Sequence, residues 1–156
     1  MIIKKYDDTH RQEFKKMLIT YFNDDMKCNW SSEFIEDKIL RLFEEKWSKE
    51  ILYIDLLEEN KQIIGFAIYQ IDTQQSDWCK KEGWGFIREV YIQKDYRKQD
   101  YGYELVKNIE WCLKSKKVKD IYLNADDAIA FWNKCGYINT NELDVDGMYI
   151  LIKKVH

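Results

Sequence analysis

The chain of 156 residues contains no proline. Its turns are left to Gly, Asn, Asp and Ser. It has only two histidines, His10 and His156, so a Ser-His or Cys-His nucleophile pair has little to build on. Four cysteines, Cys28, Cys79, Cys112 and Cys135, make no C-x-x-C pair. Reduced, mostly buried thiols are expected, not a disulfide frame or a zinc site, and no metal. No G-x-x-x-x-G-K-[ST] occurs, which excludes a P-loop. The longest apolar runs fall far short of a membrane span, and the opening MIIKKYDD lacks the apolar stretch of a secretory signal. A cytoplasmic protein with no membrane partner is expected. A net charge of -3 argues against a nucleic-acid binder, since phosphate contacts need a basic face. No repeat, linker or low-complexity stretch interrupts the chain, so a single domain over residues 1–156 is expected.

What is present is periodic. Met1 to Tyr6 reads as a short strand. Phe14, Met17, Leu18, Tyr21 and Phe22 recur at helical spacing, and Ser31 or Ser32 caps a second helix whose inner face carries Ile35, Ile39, Leu42 and Phe43. Ile51–Leu57 and Ile63–Ile71 are apolar runs joined by EENKQ, a hairpin. A polar loop, Thr73–Glu82, precedes a strand from Trp84 to Gln93. Gln99–Lys116 is amphipathic, with Leu105, Val106, Ile109, Cys112 and Leu113 on one stripe. Val118–Asn124 is a strand and Asp127–Lys134 a short helix. Tyr137–Thr140 and Met148–Lys154 form a final strand pair around DVDG. The order is β-α-α-β-β-β-α-β-α-β-β. The run KSKKVK, Lys114–Lys119, is expected at a helix C-terminus, where cations suit the dipole.

The most informative stretch is VYIQKDYRKQDYGYELV, from Val90 to Val106. A strand feeding a helix through a short basic turn aims unpaired N–H groups at one spot, which binds phosphate. A solvated basic turn between strand and helix is the plainer reading. The stretch resembles the acetyl-CoA signature of the GNAT superfamily, the acetyl-CoA-dependent N-acetyltransferases. Val90 and Ile92 match its strand, Tyr96-Arg97 its lead-in and Gly102 its final glycine, while Asp100 stands where its first glycine belongs. Ile121 to Tyr137, IYLNADDAIAFWNKCGY, is similar to the family's second motif, a strand, an Asn and a short helix ending aromatic-aromatic-x-Lys-x-Gly-aromatic.

The resemblance implies an α/β (α+β) GNAT-like fold: a mixed, mainly antiparallel sheet of about seven strands flanked by about four helices. It implies acetyl-CoA as cosubstrate. The pyrophosphate would lie on the N–H groups of Lys98, Gln99, Asp100, Tyr101 and Gly102, with the Arg97 and Lys98 cations at the mouth. The pantetheine arm would pair with the backbone of Val90 and Ile92, with Asn124 and the Ala128–Trp132 helix opposite. Asp100 favours the helix start but competes with the pyrophosphate for the same positive field, so its side chain is expected to turn outward. Glu89 is the candidate general base, or else a strand carboxylate paired with Arg88 or a lysine. Arg88 is placed on the opposite face by strand alternation. Trp132 stands where the family carries a tyrosine acid, so it is either a wall against the thioester or core packing. Tyr91, Tyr122 and Tyr137 are the alternative proton donors. An oxyanion would meet the N–H of Val90 or Tyr91.

The acceptor would be a primary amine of a small molecule or peptide. Asp24, Asp25, Glu33, Glu36, Asp72, Asp77, Asp144 and Asp146, with Trp30, Trp78 and Trp84, suit a cation, although surface elements are commonly charged. A non-catalytic GNAT-like domain that binds an acyl-CoA or a protein partner is the alternative. A homodimer is compatible with either.

Overall fold

The computed structural model describes residues 1–156, and the elements follow the order read from the periodicity. Strand β1 (Ile2–Lys5) leads into helix α1 (Arg11–Thr20), which continues as a π-helical turn over Tyr21–Asp25. Helix α2 opens at Ser32–Phe34, widens into a π-turn over Ile35–Leu40 and closes as Arg41–Ser48. Strands β2 (Leu52–Glu59), β3 (Gln62–Ile71) and β4 (Gly85–Ile92) follow, then helix α3 (Tyr101–Ser115). Strand β5 (Asp120–Ala125), helix α4 (Ile129–Lys134), β6 (Ile138–Leu143) and β7 (Tyr149–Lys154) complete the chain. No helix is long and apolar enough to cross a membrane.

The seven strands form one sheet in the order β1-β2-β3-β4-β5-β7-β6. Only β4 and β5 run parallel, and every other pairing is antiparallel. Asn60 and Lys61 both take positive φ at the β2–β3 turn, the geometry whose twist suits a two-residue hairpin. Helices α1 and α2 cover one face, where Phe14, Leu18, Ile35 and Leu40 pack with Leu56 and Phe66. Helix α3 covers the other, where Leu105, Ile109 and Leu113 pack with Ile64 and Ile121. The whole expected stripe of α3 is buried.

Helix α2 departs from its expected face. Ser31 caps it as anticipated, its Oγ accepting from the Phe34 N–H at 3.0 Å. The π-turn then adds a residue to one turn, so Leu40 is fully buried while Ile39 and Leu42 are only partly covered. The inner face therefore runs Ile35, Leu40, Phe43.

One buried acid ties the first three strands to α3. Asp55, on β2, has no exposed surface. Its carboxylate accepts from Lys5 Nζ at 2.8 Å, Tyr69 Oη at 2.8 Å and Asn108 Nδ2 at 2.9 Å. Burial, the largest single effect, would depress the Lys5 ammonium, but the Asp55 bond and charge together with the Cys112 sulfur outweigh it and raise it. Replacing Asp55 by alanine strands a buried phenol and a partly buried amide. The expected loss is about 2–4 kcal/mol, since each unmet buried group costs roughly 1–3 kcal/mol. Urea unfolding with an unchanged slope measures it, and a loss under about 0.5 kcal/mol would refute the role of this network.

Candidate active site

Strands β4 and β5 meet only at Gly85–Ile121 and Phe86–Tyr122. Beyond Phe86 they part: β4 keeps its pairing to β3, and β5 keeps its pairing to β7. The Gln93 N–H donates to Ile64 O on β3, so by alternation Val90 and Ile92 turn their N–H and C=O groups toward the gap and Tyr91 does not. Between the two expected oxyanion donors, the gap therefore receives the Val90 N–H. Across the gap, the Asn124 Oδ1 is buried without any hydrogen-bond partner. The gap opens into a cleft of about 700 Å³ lined by both strands, the ends of α1, α3 and α4, and the β3–β4 and β6–β7 loops.

At one end lies the turn before α3. Lys98 and Asp100 both take left-handed φ, 62° and 65°, which directs successive N–H groups into one concavity. No N–H from Lys98 to Tyr103 finds an acceptor in the protein; the first helical bond is Glu104 N–H to Asp100 O. Asp100 therefore fills a position that favours glycine, and aspartate is among the residues that tolerate it. Its carboxylate caps no N–H, stands largely exposed at the rim of the cleft and accepts from Lys134 Nζ at 2.9 Å, a pair that lines the cleft and is not turned away from it. A Cβ at Gly102 would sit 3.3 Å from Phe131 Cε2 and Cζ of α4, so that ring packs where a side chain would stand, and Gly102 also lines the cleft. Tyr101 donates to Glu59 Oε2 at 2.9 Å, and Gln99 reaches back to Asp95 O at 3.4 Å, outside the cleft.

Arg97 is not the free cation expected at the mouth. Its Nε donates to Ile92 O at 2.8 Å, its Nη2 pairs with Asp25 Oδ2 at 2.6 Å, and its guanidinium lies over the Tyr91 ring. Lys98 makes no ion pair and no side-chain hydrogen bond, and is the unpaired cation of this turn.

At the centre is Glu89. The β3–β4 register slips between Ile68 and Tyr69, leaving Arg88 as an extra residue in β4. The bulge overturns the expected alternation: Arg88 packs over Phe43 of α2 while Glu89 reaches Tyr21 of α1, so both address the same side of the sheet. Arg88 pairs with Asp77 at 2.7 Å and not with Glu89. Glu89 Oε2 accepts from Tyr21 Oη. Glu89 Oε1 has no protein partner and is not sealed off, so it faces the open cleft. Burial pushes the Glu89 carboxyl up to about 7, against the opposing pull of the Tyr21 hydrogen bond and the Arg88 charge. Tyr21 is the site residue that sequence reasoning missed. It sat on an apolar stripe and read as core, with no local mark of the π-turn.

Two of the alternative proton donors are committed elsewhere. Tyr137 donates to Glu110 at 3.1 Å and Tyr122 to Asp72, and burial raises both phenols, as it does that of Tyr91. Trp132 is mostly core, edge-on to Phe131 and Tyr137, with part of its ring on the cleft.

Of the residues expected on the acceptor side, Asp25, Asp77, Asp144, Asp146 and Trp78 line the cleft. Asp24, Glu33 and Trp84 do not. Glu36 is paired with Arg11 and Lys15, and Trp30 packs on Phe22 and Phe34. Asp72 is fully buried and structural: it accepts from Gln70 Nε2 and the N–H groups of Lys80 and Lys81, clamping the root of the β3–β4 loop. No group of His, Cys, Asp and Glu side chains has the geometry to hold a metal ion.

The fold has known counterparts. A GNAT-family acetyltransferase from Staphylococcus aureus Mu50 superposes with a TM-score of 0.75 at 14% identity, covering 99% of each chain. The PaiA N-acetyltransferase of Thermoplasma acidophilum, solved with coenzyme A, gives 0.74 at 17% identity over 98% of each chain. An aminoglycoside 6'-N-acetyltransferase complexed with coenzyme A gives 0.75 at 15% identity, covering 100% of this chain and 98% of that one. At such identities the likeness establishes the fold. No curated protein sequence matches the chain. The model of the acetyltransferase (GNAT) family, however, matches residues 15–137, from within α1 through the aromatic that follows α4. With both motifs and the parted strands inside that span, the chain belongs to the GNAT acetyltransferase family.

Proposed function

We propose that the protein is an N-acetyltransferase that moves an acetyl group from acetyl-CoA directly to a primary amine of a small molecule or peptide. One observation carries the reading: the gap between β4 and β5 runs from a turn of unpaired N–H groups to the open oxygen of Glu89. The residues fit coenzyme A. The N–H groups of Lys98 to Tyr103 and the Lys98 ammonium suit its phosphates. The Val90 and Ile92 backbone suits an amide-bearing arm, and Asn124 Oδ1 is an acceptor that lacks a donor until something enters the gap. The structures of two relatives in the fold hold coenzyme A.

When bound, acetyl-CoA supplies an acetyl group already activated as a thioester. The chain supplies the rest. Glu89 Oε1 takes a proton from the acceptor ammonium, directly or through one water. A carboxyl that titrates near 7 is well matched to that task. The Val90 N–H, rigid in the sheet, meets negative charge growing on a carbonyl oxygen. The Trp132 indole N–H is too weak an acid to protonate a leaving thiolate, so the chain places no acid at that position, and the thiolate released as the C–S bond breaks would take its proton from solvent. That absence favours a second reading, a GNAT-like domain that binds an acyl-CoA without turnover. Thioester cleavage over a panel of amines separates the two.

Titration calorimetry should detect acetyl-CoA binding, and none at millimolar ligand would overturn both readings. Asp100→Gly should tighten that binding severalfold, because it removes a carboxylate beside the phosphates and frees Lys134. The gain should shrink as salt is raised. Replacing Asp100 also relaxes a left-handed residue, so the variant should lose no stability beyond the small worth of an exposed ion pair.

Glu89→Gln should lower kcat by about a hundredfold or more and leave acetyl-CoA affinity unchanged, since the carboxylate acts in the transition state and the cofactor is held by backbone. A base works only when ionised. Wild-type kcat/KM should therefore rise with pH through about 7 and fall away below it. An activity that is flat from pH 5 to 8 would remove Glu89 from the chemistry.

A further inference from the structure

We infer that Tyr21 is the positioning residue for Glu89: its hydroxyl holds one carboxylate oxygen so that the other faces the acceptor, and the bond it donates favours the carboxylate over the neutral acid. The inference rests on the acetyl-transfer reading for its effect on rate, but not for its effect on Glu89 itself.

The geometry is specific. Tyr21 Oη is the only protein partner of the Glu89 carboxylate, and it occupies Oε2 alone. The ring is fixed by edge-to-face packing on Phe22, Phe66 and Tyr91, with centroids 5.0–5.7 Å away. A rigid donor of this kind leaves the carboxylate little choice of orientation. Tyr21 also stands at the start of the π-turn of α1, its carbonyl accepting from the Met26 N–H five residues on at 3.0 Å. Such widened turns occur disproportionately at functional sites. Here the turn sits where the helix end meets the cleft.

The direction of proton sharing follows from chemistry. Burial, and then the Glu89 charge, drive the Tyr21 phenol far above its ordinary range, so the phenol keeps its proton and donates. A donated hydrogen bond stabilises the carboxylate over the carboxylic acid and lowers the carboxyl's pKa. The other groups that face Glu89 are few. Arg88, beside it on β4, also favours the charged form, although its guanidinium is bound to Asp77. From the segment after α1 comes the Cys28 thiol, raised by burial and by the Glu89 charge and so neutral. Asp25, at the end of α1, and Asp127, before α4, act on Tyr21 through their fields, and Asp25 is paired with Arg97. Strand β3 presents Ile68 opposite Glu89 and brings no charge. Tyr21 is thus the one neutral donor that counters the burial of this acid.

The test is Tyr21→Phe, which removes a single oxygen and keeps the ring. The Glu89 side-chain carboxyl carbon is followed by NMR in protein carrying 13C-labelled glutamate, with Glu89→Gln to assign the signal. No substrate is needed. The titration midpoint should move up by about one pH unit. The acidic limb of kcat/KM should move with it, so that activity falls about fivefold at pH 7 and nearly all of the loss returns by pH 9. A merely structural tyrosine would lower the rate equally at every pH. A midpoint that stays put or moves down overturns the inference. If the midpoint moves up but no amine is acetylated even by wild type, Tyr21's hold on Glu89 stands and the acetyl-transfer reading falls. Should the phenylalanine variant unfold, 3-fluorotyrosine at position 21 preserves the packing. As a stronger donor it must move the midpoint down, and any other shift overturns the inference.

Discussion

The parting of β4 from β5 after Phe86 is the constraint on which the rest of the molecule depends. A strand interior is normally paired on both sides, because an unpaired buried backbone group costs free energy. Here the sheet is left open within the protein. The open stretch is held in shape by β3 on one side and by β7 on the other. The gap can therefore offer fixed donors and acceptors without collapsing. Helix α3 starts at one end of it and Glu89 stands at its middle. A bulge at Arg88 turns two consecutive polar side chains to the face where α1 and α2 pack, so the same strand serves a backbone function on its edge and a side-chain function on its face.

Charge around the cleft is largely committed. Arg97 is bound to Asp25, Arg88 to Asp77 and Lys134 to Asp100. Two of these pairs join elements far apart in sequence, the end of α1 to the turn before α3 and α4 to the start of α3, and the third ties the β3–β4 loop to the strand that follows it. None is worth much as an exposed ion pair. Their effect is geometric, since each fixes one wall against another. Glu89 is different in kind. It has no ion pair and only a neutral donor, which is why burial can lift it toward neutrality.

The element order was legible because apolar spacing alone separates helix from strand here, and the turn before α3 was legible through its motif. The two misread faces share one cause, the insertion of a single residue. A π-turn in α2 moved the buried position from Ile39 to Leu40, and a bulge in β4 moved Arg88 to the face of Glu89. Neither leaves a mark in residue type, since both are settled by what packs against the element. Asp55 and Asp72 were opaque for another reason. Each sits in or beside an apolar run, and its partners lie up to fifty or so positions away, from Lys5 to Asn108 and from Gln70 to Tyr122. Arg97 looked like a phosphate ligand, and only the fold brings Asp25 to it.

The clamp at Asp72 has a consequence for how such a protein diversifies. A single carboxylate gathers the β3–β4 loop at its root, through Gln70, Tyr122 and the N–H groups of Lys80 and Lys81. The tip between Thr73 and Cys79 touches the sheet through Asp77, which holds Arg88, and through the Trp78 carbonyl, which accepts from Gln70, and both residues line the cleft. The side chains of Gln74 and Gln75 at the tip make no bond to a strand, so they can change while the root and the sheet stay as they are. The Asp72 root thus lets this wall of the cleft change its side chains without a change of fold.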